Sequence, residues 1–180
     1  MGKALIRHFR AMARNNAWAN DRLLAACRKL GPGEFEATRT SFFPSIRETL
    51  NHNLLVDLYY LDALEEAGRG RAIGRDWRAI GTARGLRTAQ ARADARLVAF
   101  CDRLTPDAAR RKVDVDRGDP VPERVDHLLA HLFQHQIHHR GQAHAMLAGT
   151  SVRPPQLDEF FLDYDRDPNA VTLGHWPVPD

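Results

Sequence analysis

The chain has 180 residues, 43% of them hydrophobic, with 26 basic and 23 acidic side chains and a formal charge of +3. That length suits one domain, or a domain with a tail, and allows a sizeable core. The charges are interleaved (Arg69 to Arg75 is the densest basic run), which describes a solvated surface rather than a nucleic-acid-binding face.

No apolar run approaches the ~20 residues of a membrane span, so no membrane association is expected. The start, Met1 to His8, lacks the apolar core of a signal segment. The two cysteines, Cys27 and Cys101, sit far apart inside helical patterns and do not form a disulfide framework. A reduced, cytoplasmic setting is the expectation.

In chain order, Leu5, Phe9, Met12, Asn16, Leu23, Ala26 and Leu30 recur at helical spacing and predict a helix from Lys3 to Leu30, stopped by Gly31-Pro32-Gly33. Within it, Trp18 is expected to pack in the core and Asn20 to be a surface amide. A connector, Glu34 to Pro44, leads to Ser45-Ile46-Arg47-Glu48, which has the form of a capping box. The second helix runs from there to about Ala67. Leu50, Leu54, Leu55, Leu58, Leu61 and Leu64 make it apolar nearly all round, hence central. His52 lies inside it. A lone histidine on such a helix is ordinarily a hydrogen-bonded core residue, unless other histidines face it.

Gly68 to Gly74 is a break. Leu86 to Leu104 predicts a third helix with Ala89, Ala93, Leu97, Phe100 and Leu104 on one face. Lys112 to Asp116 alternates like a short strand, and Gly118-Asp119-Pro120 is turn chemistry. Pro122 suits the first turn of a fourth helix, which then runs to Ala148 before Gly149. Leu157 to Leu162 predicts a short apolar segment that buries Phe160, Phe161 and Leu162, and about 165–180 reads as an extended tail. Four long amphipathic helices with one short hairpin predict an all-α four-helix bundle.

The fourth helix carries the chemistry. His127 to His144 holds six of the nine histidines, and His127, His131, His135 and His139 step by four. Such steps stack side chains on one helix face, where two imidazoles can share a metal ion. On a helical wheel, Val125, Leu128, Leu129, Leu132, Ala143 and Leu147 define an apolar arc. His139 falls just inside its edge and His135 about 40° further round, whereas His138 and His127 point to the polar side and His131 lies between. A third ligand must come from another helix, and His52 is the one histidine inside helix two. His52, His135 and His139 with open positions describe a catalytic rather than a closed structural site. Imidazoles suit several divalent metals and do not select one.

The motifs resemble those of the DinB family, the DNA-damage-inducible-like proteins related to a bacillithiol S-transferase. Trp18-Ala19-Asn20 is similar to its first-helix motif and Ser45 to His52 to its second. His135-x-x-x-His139-Arg140-Gly141-Gln142 is similar to its fourth-helix signature, and Asn15 stands where a tyrosine often precedes the first motif. The resemblance implies an up-down-down-up bundle, often a homodimer. It also implies a divalent metal (nickel, zinc, manganese or iron) on His52, His135 and His139. Related branches catalyse thiol-dependent transferase or isomerase steps with low-molecular-weight thiols. The function expected is thus that of a metal-dependent enzyme, a transferase or hydrolase acting on a small molecule, with a thiol S-transferase foremost and no catalytic residue assigned. The alternative is a non-catalytic metal- or small-ligand-binding bundle.

Overall fold

The structure, a computed structural model, describes residues 2–158 and 160–161. Its elements in chain order are α1 (Gly2–Cys27), α2 (Ile46–Glu65), α3 (Ala72–Asp76), α4 (Ala83–Arg103), α5 (Pro106–Arg110), β1 (Lys112–Asp116), β2 (Pro120–Arg124) and α6 (Val125–Leu147). The four long helices are those the apolar spacing predicts, and the short ones, α3 and α5, lie in connectors.

Local chemistry sets the helix ends. Ser45 begins α2 by accepting the Glu48 N–H on its hydroxyl at 3.1 Å, and it donates that hydroxyl to the Glu48 carboxylate at 3.3 Å. At the other end the Glu66 N–H reaches Ala63 O and the Ala67 N–H reaches Asp62 O, the paired bonds of a Schellman stop. Glu66 therefore takes the left-handed conformation, with φ of 54°.

Pro122 does not open a helix. It lies in β2, which pairs antiparallel with β1, and α6 begins three residues later at Val125. The register shows why a proline is tolerated. Pro120 and Pro122 share the parity of Arg124, while the Val125 N–H, on the alternate parity, bonds Arg111 O. Both prolines thus occupy positions whose nitrogen needs no ladder partner.

Side-chain pairs fix the helix directions. Arg87 meets Asp21 and Arg14 meets Asp102, so α4 runs antiparallel to α1. His52 meets His135 while Tyr60 meets His131, so α6 runs antiparallel to α2. Phe9 stacks on Phe133 and Asn20 binds Arg140, which makes α1 and α6 parallel. The bundle is therefore up-down-down-up, with α1 and α2 each packed against both α4 and α6.

Leu23, Ile46, Leu54, Leu61, Leu86, Leu97, Leu129, Leu132 and Leu147 fill its core. On α1 the buried stripe runs through Ile6, Phe9 and Ala13, one residue round from the expected Leu5, which is exposed. Phe160 is buried against Trp18, whereas Phe161 is 45% exposed. Leu162 and the tail at 165–180 lie outside the described residues. Among those described, no helix is long and apolar enough to cross a membrane.

A polar network crosses this apolar core and joins all four long helices. Asp94 of α4 accepts from Asn16 and Asn20 of α1, at 3.1 and 3.0 Å, and from Gln90 at 3.2 Å. Gln90 also donates to Asp57 of α2 at 2.7 Å. Arg140 of α6 donates to the side-chain oxygens of Asn16, Asn20 and Gln136. Asn20 is thus a buried, doubly bonded amide, not the surface residue expected from its sequence. Paired in this way, a guanidinium and two carboxyl groups can be kept out of water, whereas any one of them left alone would be costly.

Candidate metal centre

Beside this network, α2 and α6 bring three histidines together. His52 Nε2 lies 3.0 Å from His135 Nε2, and the rings of His52 and His139 are 4.7 Å apart, centre to centre. One nitrogen from each of His52, His135 and His139 falls within 4.8 Å of the others. The periodicity explains the arrangement. His135 and His139 occupy successive turns of α6 on the side facing α2, while the next residues, Gln136 and Arg140, turn about 100° toward the polar network. The same two turns serve both the cluster and the core.

The other histidines fall away from the cluster. His127 and His138 are exposed, as the wheel predicts, and His131 is also exposed, its ring 6.2 Å from that of His135. His144 bonds Pro155 O at 2.8 Å. His138 keeps an indirect link, since its Nε2 lies 3.1 Å from the Gln142 amide nitrogen.

Burial holds the three imidazoles unprotonated. Removal from water, with the neighbouring His139 adding repulsion, pushes His52 down to about 4. Removal from water is also the main cause for His135, pushed to about 3, with repulsion from His139 and His52 next. His139 is lowered too, chiefly by burial, against a raising hydrogen bond from Gln142. Three neutral, inward-facing imidazoles are the protonation state a metal requires.

The His52–His135 separation fits a cation as well. Ligand atoms ~2.1 Å from one ion lie about 3.0 to 3.4 Å apart in octahedral or tetrahedral sets, and the His52–His135 separation is 3.0 Å. His139 Nδ1 is 2.7 Å from Gln142 Oε1. If Nδ1 donates there, the Nε2 lone pair is left for the cluster, the arrangement that orients metal-bound histidines. Among the described residues, no other group of three or more histidine, cysteine or acidic side chains is placed to hold an ion.

Several neighbours were not foreseen from the sequence. Gln142 was visible as part of a motif, but its hold on His139 was not. Phe43, in the connector before α2, lies 4.4 Å from the His52 ring and 5.5 Å from that of His139. Two adjacent phenylalanines in a polar connector, just before a helix cap, were the available signal. Both cysteines are buried and free, and burial pushes their thiols up to about 12, so neither is a nucleophile near neutral pH.

A sequence model described as the DinB family matches residues 1–168. The fold is similar to the crystal structure of a DinB-like protein, YjoA, from Bacillus subtilis. The TM-score is 0.56 at 16% identity, over 80% of this chain and 90% of that one. No curated protein matches the chain.

Proposed function

The chain belongs to the DinB family, and from that premise we propose that His52, His135 and His139 bind one divalent metal ion in a metal-dependent enzyme. The observation that carries this reading is the convergence of three imidazoles from two helices, with burial lowering the pKa of each and no carboxylate or cysteine in the set. Imidazole donors suit nickel, zinc and iron, and manganese is the further metal that the resemblance implies. A closed structural site ordinarily takes four protein ligands, so a three-ligand set leaves room for an exogenous one.

The activity that best uses this arrangement is transfer of a low-molecular-weight thiol to a small electrophile. In the balanced reaction the thiol sulfur bonds to the electrophilic carbon, and the S–H proton departs with the displaced group. A divalent cation held at the site supplies Lewis acidity, which lowers the pKa of a coordinated thiol or water. The protein's own groups prepare the site. Gln142 fixes the ring of His139, burial keeps the imidazoles neutral, and Phe43 shields the rings of His52 and His139 from water on one side. The nucleophile is external, since Cys27 and Cys101 are buried and protonated.

Metal analysis of protein purified without a histidine tag tests the site. His52→Ala, His135→Ala and His139→Ala each abolish near-stoichiometric metal, whereas His138→Ala retains it. Equal loss from His138→Ala, or full occupancy in His52→Ala, overturns the ligand assignment. A screen of thiols with a chromogenic electrophile then tests the activity. Turnover is lost on chelation, returns with one divalent metal, and survives in Cys27→Ala/Cys101→Ala. Metal binding without turnover on any thiol would leave a metal- or ligand-binding bundle as the function.

A further inference from the structure

Next to the three histidines, the connector before α2 displays two aromatic rings in an unusual way. Phe43 is half-buried against His52 and His139, and Phe42 meets Phe43 edge-on at 4.9 Å. Phe42 is nevertheless 78% exposed, the most exposed large hydrophobic side chain among the described residues. A single exposed apolar residue on a surface ordinarily needs no explanation. Here the exposed ring continues, through Phe43, from the candidate ligand cluster out to solvent.

The loop that carries these rings is tied down at several points. The Arg39 N–H bonds Pro44 O at 2.8 Å and closes the segment that holds both phenylalanines. The Arg39 guanidinium donates to Glu34 O and Ala37 O, at 2.8 and 2.9 Å. The Glu34 carboxylate accepts from the Gly31 N–H and from the N–H and hydroxyl of Ser151, which anchors the loop to the chain beyond α6. The Arg47 N–H bonds Phe35 O at 3.0 Å. The loop backbone therefore holds Phe42 outside the core, although an apolar ring in water is unfavourable.

We propose that Phe42 and Phe43 form a subsite for a flat apolar group, preferably aromatic, on the small-molecule ligand whose polar end reaches the three histidines. The proposal rests on the metal reading above and adds the chemical class of the ligand. Phe43 is the inner wall and also positions His52. Phe42 contributes the outer ring, and a bound aromatic group would cover its exposed face. Edge-to-face or offset stacking with one or two rings, together with the apolar burial, favours such a ligand about 10-fold over one of equal polar chemistry without the ring.

The test uses full-length protein loaded with Co2+, whose thiolate charge-transfer band reports thiol binding directly. The probes are benzyl mercaptan and 2-mercaptoethanol, which are thiols of similar acidity. Wild-type protein is expected to bind benzyl mercaptan roughly 10-fold more tightly. Phe42→Ala is expected to reduce that preference to about 2-fold or less, with Co2+ stoichiometry, thermal stability and 2-mercaptoethanol affinity unchanged, and Phe42→Tyr to retain it. A charge-transfer band with no preference in the wild type, or an equal preference in Phe42→Ala, overturns the subsite and leaves the metal site standing. Failure to take up Co2+ at all overturns the metal reading and the subsite with it.

Discussion

Gln142 sits one turn beyond His139, and its amide oxygen lies 2.7 Å from His139 Nδ1, where a donated ring N–H would leave Nε2 for a ligand. Removal of such an orienting partner ordinarily costs about 10- to 100-fold in metal affinity. Gln142→Leu is therefore expected to weaken metal binding by that factor with no change in stoichiometry at saturation, and Gln142→Glu, which keeps an acceptor, to lose much less. Competition titration with a chromogenic chelator measures both, and unchanged affinity in Gln142→Leu would show that packing alone orients His139. Spacing in the sequence did put Gln142 near His139, since residues three apart are neighbours on a helix. Which acceptor the imidazole uses depends on rotamers that other helices limit.

At the scale of elements, α2 shows how local rules can be both legible and strained. Its start was readable from Ser45 and Glu48, whose side chains meet as a capping pair does. Its end was read two residues too long, because the stop is made by Glu66 in a left-handed conformation that glycine usually takes. Glu66→Gly removes that strain and also removes an exposed ion pair with Arg111, which contributes little. The expected net effect is stabilisation by about 0.5 to 1 kcal/mol, read from the denaturant midpoint at constant slope. A destabilised Glu66→Gly protein would mean that the Arg111 contact matters more than the backbone. The start of α6 was misread for a related reason: Pro122 is as acceptable at an unbonded hairpin position as in a first helical turn, and only the pairing partner distinguishes the two.

At the scale of the whole molecule, the buried network around Arg140 joins the four long helices next to the histidine cluster. Burial, the largest cause, raises Asp57 to about 6 and Asp94 to about 7, with repulsion from Asp57 adding to the second. One guanidinium faces two carboxyl groups, and Arg140 is itself lowered to about 10 by burial. A carboxyl group with a raised pKa holds more protons in the folded than in the unfolded state between the two values. Its contribution to stability is thus present below about 4 and is lost as the pH rises through about 6. Asp57→Asn removes that titration and keeps the shape, so its unfolding free energy is expected to fall less than that of the wild type between pH 4 and 7. The histidines are common to both proteins and cancel in the difference. Parallel stability curves over that range would show that Asp57 does not titrate there.

Periodicity, caps and turn residues alone determined the four long helices, the hairpin's first strand and the shared helix face of His135 and His139, because each is a local pattern of side chains on one helix or strand. The burial of Asn20 beside Asp94 and the placing of Phe43 against His52 and His139 were decided only by tertiary packing, and so were the helix directions, which the resemblance had implied but no local pattern could show. A helical pattern tells which face is apolar but not which helix that face will meet. His52 shows the difference most directly: the sequence offers it as a third ligand because it is the one histidine inside the second helix, and the antiparallel packing of α6 on α2 is what brings His135 to 3.0 Å from it.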